Sequence, residues 1–146
     1  MDIVICKIKY PNDPTGNIQA HQHFVGYISD DKIVLYSISS VLGKERRVYE
    51  KDGNLKEEIY LITKEAQKRC RLKVPSFIDC TKSYNVTLTP DMNIEKLSNR
   101  EIPCWIRDDI LDKIRELKQR GKHTEYFINT DDFLKYNKKK LLDKKN

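Results

Sequence analysis

The chain has 146 residues, which is enough for one domain with a hydrophobic core of its own. Hydrophobic residues make up 38% of it and charged residues 34%, a balance that excludes disorder throughout the chain. No apolar run is long enough to cross a bilayer and no signal peptide is evident, so the sequence predicts a cytoplasmic protein that does not enter membranes.

The net charge of +6 favours a polyanionic partner such as nucleic acid. Part of that charge lies near the end of the chain, in the lysine runs at residues 138–140 and 144–145. Such runs also occur simply because they keep a chain soluble, so the charge alone does not decide between the two explanations.

Four cysteines are spread along the chain: Cys6, Cys70, Cys80 and Cys104. No two of them have the close spacing of a zinc or redox site, so neither a metal nor another cofactor is predicted. Cys6 falls in an apolar strand pattern, where a buried thiol is expected.

The first 40 residues predict three strands. Residues 3–10 are apolar and then alternating, as in a strand, and residues 11–20 form a long loop rich in turn residues. Two β-branched and aromatic runs, at residues 23–28 and 32–40, predict a hairpin around a short acidic turn. Gly26 inside the first run indicates a bulge or a close backbone approach.

Residues 42–57 form a charged segment, and strand patterns resume after it. Thr63 is suited to cap a short helix at residues 64–69, and Pro75 prevents that helix from extending further. Three further strands are predicted at residues 58–62, 76–80 and 84–88.

After Pro103, apolar residues recur at helical spacing as far as Gly121, which predicts a helix between these two residues. A weaker helix is predicted from Asp131 to about residue 142. The whole predicts a mainly β fold: a small, strongly bent antiparallel sheet or half-open barrel with a short internal helix and a packed C-terminal helix. We expect the domain to cover residues 1–121, with residues 122–146 as a basic C-terminal extension.

His21 and His23 stand two residues apart at the start of a predicted strand, so their side chains point to the same face. Two imidazoles together suit acid/base chemistry, because histidine titrates near neutral pH. Two alternatives stay open: a metal site, for which no third ligand is evident by spacing, and a pair of solvated rings at a strand entry.

Hydroxyl and basic side chains suited to phosphate oxygens gather around the predicted strands. They are Ser39, Ser40, Arg46, Arg47, Lys73, Ser76 and Lys82. Serines at strand ends more often bond to nearby loop backbone. Aromatic residues that can stack on bases are Tyr10, Phe24, Tyr36, Phe77 and Tyr84, although most are expected in the core.

The order of these elements resembles the MazF/PemK family of toxins from toxin–antitoxin modules, over about residues 1–118. The segments that carry the resemblance are residues 2–4, 23–29, 35–40 and 72–79, with a helix that follows Leu97-Ser98. The resemblance implies a CcdB/MazF-like bent barrel, a homodimer, and cleavage of single-stranded RNA without a metal. The 2′-hydroxyl of the RNA would attack the adjacent phosphate, and the protein would supply a base, an acid and cations.

The family's loop-and-strand motif reads Leu-Lys-x-x-Ser, followed by an aromatic and a β-branched residue. Residues 72–78 fit that motif, and Ser39 or Ser40 fits a hydroxyl residue at the end of the third strand. Two arginine positions of the family differ, since His23 and Asp79 stand in their places. A histidine can replace arginine as an acid or cation, whereas an aspartate cannot.

We therefore predict a toxin-like endoribonuclease, with single-stranded RNA as substrate and an acidic antitoxin as a possible partner. Its catalytic residues would be His21, His23, Ser39 and Lys73. Its RNA-binding residues would be Ser40, Arg46, Arg47, Ser76 and Lys82. The alternatives are a non-catalytic RNA- or protein-binding module, which the two missing arginines favour, and an interaction domain whose basic tail only adds solubility.

Overall fold

A computed structural model describes residues 1–142, which form eight strands and four α-helices in a β-rich fold. The strands are β1 (Ile3–Lys7), β2 (Ala20–Ile28), β3 (Lys32–Ser40), β4 (Ile59–Ile62), β5 (Ser76–Asp79), β6 (Lys82–Thr87), β7 (Asn99–Arg100) and β8 (Thr124–Ile128). The helices are α1 (Glu45–Val48), α2 (Lys64–Arg69), α3 (Cys104–Gln119) and α4 (Thr130–Leu141), and a 3-10 turn covers Ile94–Lys96.

The long strand β3 organises the sheet, because its two halves have different neighbours. Along one edge, Lys32 to Leu35 pair with β6, whereas Ile38 to Ser40 pair with β5. The other edge of β3 pairs with β2, which continues to β1 and β7. The sheet therefore bends where β5 and β6 separate, and the pairings within residues 1–142 do not close it into a barrel.

Both faces of the sheet are covered by a helix. On one face, Tyr36 and Phe24 share a core cluster with the apolar stripe of α3, whose buried residues are Ile106, Ile110, Ile114 and Leu117. On the other face, Ile33 and Leu35 pack in a cluster with Phe133 and Leu141 of α4. The alternation of side chains along β3 thus supplies both cores from one strand.

Local sequence signals account for several of these elements. The hydroxyl of Thr63 accepts a hydrogen bond from the Ala66 amide at 3.2 Å, so the predicted cap of α2 is confirmed. The pairing of β2 with β3 shifts register at Gly26, which confirms the predicted bulge. The mainly antiparallel β fold with an internal helix and a packed helix after Pro103 is confirmed as well.

Residues 124–142 are packed with the rest of the fold. β8 pairs with β6, and it is the parallel strand in an otherwise antiparallel sheet. The predicted helix near residue 131 is present as α4, and Phe133 lies 1% exposed in the core. The second lysine run of the predicted basic extension, at residues 144–145, lies outside the described residues.

None of the helices within residues 1–142 is both long and apolar enough to cross a membrane.

Candidate functional site

A cleft of about 490 Å³ opens on the α4 side of the sheet, where β5 and β6 separate from each other along the edge of β3. It is lined by Tyr10, Asn12, Asp13, Pro14, His21, Ser37, Ile38, Ser39, Ser40, Lys44, Arg47, Phe77, Asp79, Lys82 and Tyr84. Of the nine site residues that the sequence predicts, His21, Ser39, Ser40, Arg47 and Lys82 meet here. They come from four elements, β2, β3, α1 and β6, and the bend in the sheet brings these elements together.

The serines of β3 form the floor of the cleft. Ser37 and Ser39 continue the face that carries Ile33 and Leu35, but here the core ends and the strand meets solvent. Ser39 lies opposite Phe77 of β5 in the strand register. Two half-exposed hydroxyls that point into one cavity can each donate a hydrogen bond to an anion.

Ser40 is less free to bind a ligand than Ser37 and Ser39, because its hydroxyl oxygen already accepts a hydrogen bond from the Leu42 amide at 3.2 Å. This contact is the loop-backbone bond that strand-end serines often make. The hydroxyl proton of Ser40 remains able to donate toward the cleft.

Three cations line the cleft walls: Lys44, Arg47 and Lys82. The Arg47 guanidinium lies over the Phe77 ring, 5.4 Å from its centroid, which holds the charge near the floor. Lys82 lies 3.4 Å from a carboxylate oxygen of Asp79 and is therefore partly neutralised.

Two carboxylates limit the positive charge of the cleft. Asp13 accepts hydrogen bonds from the amide and hydroxyl of Thr15, and these bonds lower its pKa, so it is ionised at neutral pH. Asp79 is engaged by the amide of Thr81 and by Lys82. Three cations against two carboxylates leave a modest excess of positive charge at neutral pH.

His21 is the histidine that reaches the cleft. Partial burial lowers the pKa of its imidazole, and the nearby Lys44 ammonium lowers it further. The ring is therefore largely neutral at neutral pH, which is the state that accepts a proton. Within residues 1–142, no three His, Cys, Asp or Glu side chains are close enough together to hold a metal ion.

His23, which the sequence predicts as a catalytic residue, lies beneath the cleft and does not line it. Its ring is 0% exposed, with Nε2 hydrogen-bonded to the Tyr10 hydroxyl and Nδ1 3.5 Å from the Cys6 sulfur. Burial lowers its pKa to about 3, so the ring stays neutral. His21 and His23 share one face of β2, but of the two only His21 lines the cleft.

Three more of the predicted site residues, Ser76, Lys73 and Arg46, do not line the cleft. Ser76 is buried, and its hydroxyl donates to the Val74 carbonyl at 2.9 Å. Lys73 is exposed on the turn before β5 and does not line the cleft. Arg46 lies on the far side of α1 and lines a neighbouring groove. Position within a sequence motif did not reveal which way these side chains point.

The loop after β1 forms one wall that sequence reasoning only partly anticipated. Tyr10 packs edge-on against the Tyr84 ring with centroids 4.7 Å apart, and the Tyr84 hydroxyl donates to the Asn12 side chain at 3.2 Å. Tyr10 and Tyr84 were among the predicted stacking residues, but Asn12 and Lys44 were missed. For Asn12, the unusual length of this loop was the available signal. Lys44 lies outside the loop, in the charged segment after β3.

Comparison with protein-family models, with curated proteins and with solved structures found no match to this chain. Functional arguments for this protein therefore depend on the chemistry of the cleft. Hydroxyls, a guanidinium, ammonium groups and a neutral imidazole around one cavity are suited to a phosphodiester, whose oxygens accept hydrogen bonds and carry charge.

Proposed function

We propose that the cleft binds single-stranded RNA and that the protein is a toxin-like, metal-independent endoribonuclease of a toxin–antitoxin system, as the MazF/PemK resemblance implies. The observation that carries the proposal is the meeting of His21, Ser39, Arg47 and Lys82 in one cavity. A proton acceptor, a hydroxyl donor and two cations are the groups that cleavage by the 2′-hydroxyl requires.

The neutral ring of His21 takes the proton of the 2′-hydroxyl as that oxygen attacks phosphorus. The new bond joins the 2′ oxygen to phosphorus, the bond to the 5′ oxygen breaks, and the leaving oxygen takes a proton from water in the open cleft. Arg47 and Lys82 stabilise the charge that develops on the phosphoryl oxygens, and Ser39 donates a hydrogen bond to one of them. The products are a 2′,3′-cyclic phosphate and a 5′-hydroxyl.

An aromatic ring in the same cleft supports a nucleic-acid ligand over a simple anion. Of the three rings that line the cleft, Phe77 and Tyr84 are only 1% and 6% exposed, so half-buried Tyr10 is the one that can offer a face to a base. A base that stacks on such a ring contributes about 1–3 kcal/mol, measured by alanine substitution, and every base has a face to stack.

The test is incubation of the purified protein with varied single-stranded RNA in excess chelator, followed by analysis of product ends. Cleavage should give cyclic phosphate ends, and His21→Ala should slow it by roughly two to four orders of magnitude. His123→Ala is the matched control, because that imidazole is hydrogen-bonded to Tyr36 outside the cleft. Intact RNA, or equal rates for both variants, would contradict the catalytic role.

A second candidate is a non-catalytic RNA- or protein-binding module. It is favoured by Asp13 and Asp79, which weaken the positive potential of the cleft, and by the partial neutralisation of Lys82. Binding of single-stranded RNA that weakens with added salt, without any cleavage, would support this module and exclude the enzyme.

The partners that the resemblance implies are a second copy of the chain and an acidic antitoxin. The net charge of +6 supports an acidic partner. Sedimentation of the isolated protein would test the homodimer, since a monomer at all concentrations would contradict it.

A further inference from the structure

A second groove lies beside the cleft, with a volume of about 730 Å³. It is lined by Glu45, Arg46, Tyr49, Glu50, Lys51 and Lys56. These residues belong to α1 and to the turn that follows it, which is closed by the pairing of Tyr49 with Leu55. The charged segment that the sequence left unexplained is therefore a surface feature with a cavity of its own.

The short helix α1 separates the groove from the cleft. Its two arginines face opposite sides, since Arg47 lines the cleft and Arg46 lines the groove. Consecutive residues of a helix point about 100° apart, which accounts for the divergence. Val48 is 0% exposed and packs with Ile59 and Phe77, so the helix that carries both arginines is anchored in the core.

The groove has an excess of cations, as the cleft does. Arg46, Lys51 and Lys56 face two carboxylates, and one of these, Glu45, accepts a hydrogen bond from the Gly43 amide. Among the described residues, none of the three cations takes part in an ion pair within 4.0 Å. Their charges remain available to an anionic ligand.

We infer that the groove is a second subsite for the same RNA strand, so that the ligand crosses α1 and places one phosphate near Arg47 and another near Arg46. This inference rests on the proposed function. The half-buried ring of Tyr49 offers a stacking face beside the second phosphate. A dinucleotide would fill the cleft alone, whereas a longer strand would occupy both sites.

The experiment measures binding of fluorescent, random-sequence 2′-O-methyl RNA of two and of eight nucleotides, which cannot be cleaved because the 2′ oxygen is blocked. The wild type should bind the longer probe more tightly. The double variant Arg46→Ala/Lys51→Ala should lose about three- to thirtyfold in affinity for eight nucleotides and none for two. Its salt slope for the longer probe should fall by about 1.4, which corresponds to two phosphate contacts.

The control is Lys64→Ala/Lys68→Ala, which removes the same charge from the exposed side of α2. Equal loss for both probe lengths in both double variants would show a general charge effect and overturn the subsite. Unchanged affinity for eight nucleotides would also overturn it, while binding of the dinucleotide would leave the proposed function standing. Failure of the wild type to bind either probe would refute both.

Discussion

The hydroxyl of Tyr10 is hydrogen-bonded to Nε2 of His23, which lies fully buried under the cleft. The contact fastens the loop after β1 to the central sheet, and the other ring nitrogen faces the thiol of Cys6 at 3.5 Å. A ring so enclosed has no water to solvate a positive charge, so burial keeps it neutral. His23 thus holds a wall of the cleft in place and makes stability depend on pH.

We expect stability to fall as the pH drops from about 6.5 toward 3. Burial lowers the pKa of folded His23 to about 3, whereas an unfolded histidine titrates near 6.5. Between these values the unfolded chain binds a proton that the folded chain does not, so acid favours unfolding. The difference between the two pKa values, at about 1.4 kcal/mol for each unit, corresponds to a loss of roughly 5 kcal/mol in the free energy of unfolding by pH 3.

Urea unfolding at several pH values checks this expectation. His23→Gln removes the titrating group, so its free energy of unfolding should vary less steeply between pH 6.5 and 4 than that of the wild type. Both proteins retain His21 and His123, so the difference in slope isolates the buried ring. Parallel curves for the two proteins would show that His23 is not the source.

The pKa of His21 should rise when Lys44 is replaced by alanine. The Lys44 ammonium disfavours a second positive charge nearby, and it acts in addition to the burial of the ring. If His21 is the catalytic base, the rise of the cleavage rate with pH should move to higher pH in the same variant.

Proton NMR titration of the histidine rings measures this shift directly. Lys118→Ala is the internal control, because Lys118 lowers the pKa of His123 in the same way. Each lysine variant should raise the pKa of its own histidine and leave the other unchanged. A shift of both rings in both variants would point to a general charge effect.

If the cleft binds RNA as proposed, replacing the Asp79 carboxylate with an amide should strengthen that binding. The carboxylate of Asp79 lies 3.4 Å from the Lys82 ammonium and partly neutralises it. Asp79→Asn retains an oxygen for the Thr81 amide but releases the lysine, so we expect about a two- to fivefold gain in affinity. Asp91→Asn, outside the cleft, should give no gain, and fluorescence anisotropy would measure both.

Gly26→Ala should destabilise the fold by about 1–3 kcal/mol, because a Cβ there would lie 2.7 Å from Cε1 of Tyr36. That ring is 1% exposed and its hydroxyl is hydrogen-bonded to His123, so it has no room to yield. The cost should shrink to less than half in a Tyr36→Leu background, which removes the ring atom. A double-mutant cycle measured by thermal unfolding checks this. If Gly26→Ala cost the same stability with and without Tyr36→Leu, another contact would be responsible.

Asn137→Leu should cost about 2–4 kcal/mol in urea unfolding. The buried side-chain amide of Asn137 accepts from the Lys7 amide at 2.9 Å and donates to the Lys7 carbonyl at 2.8 Å, so it joins α4 to the edge of β1. Its loss leaves both backbone groups without a partner. Lys138→Leu, at the next and exposed position, should change stability by less than about 0.5 kcal/mol, and similar costs for both would contradict this account.

Much of the fold could be predicted because its signals are local. Turn residues, alternating apolar runs and the Thr63 cap each act within a few residues, and they placed the β2–β3 hairpin, α2 and α3 correctly. β8 was missed because its pairing with β6 is parallel and joins residues about 40 apart, which no local pattern reports. The two-residue strand β7 is too short to leave a pattern at all.

The sequence by itself determined the strand-rich class, the bulge at Gly26 and the supply of cationic and hydroxyl side chains, because backbone preference and side-chain chemistry belong to single residues and their neighbours. Only the tertiary structure decided which of those side chains share a cleft. His21 and His23 point to one face of one strand, yet burial under Tyr10 takes one of them out of reach of any ligand. Distances between remote segments, and the water that packing removes, are set by the whole chain.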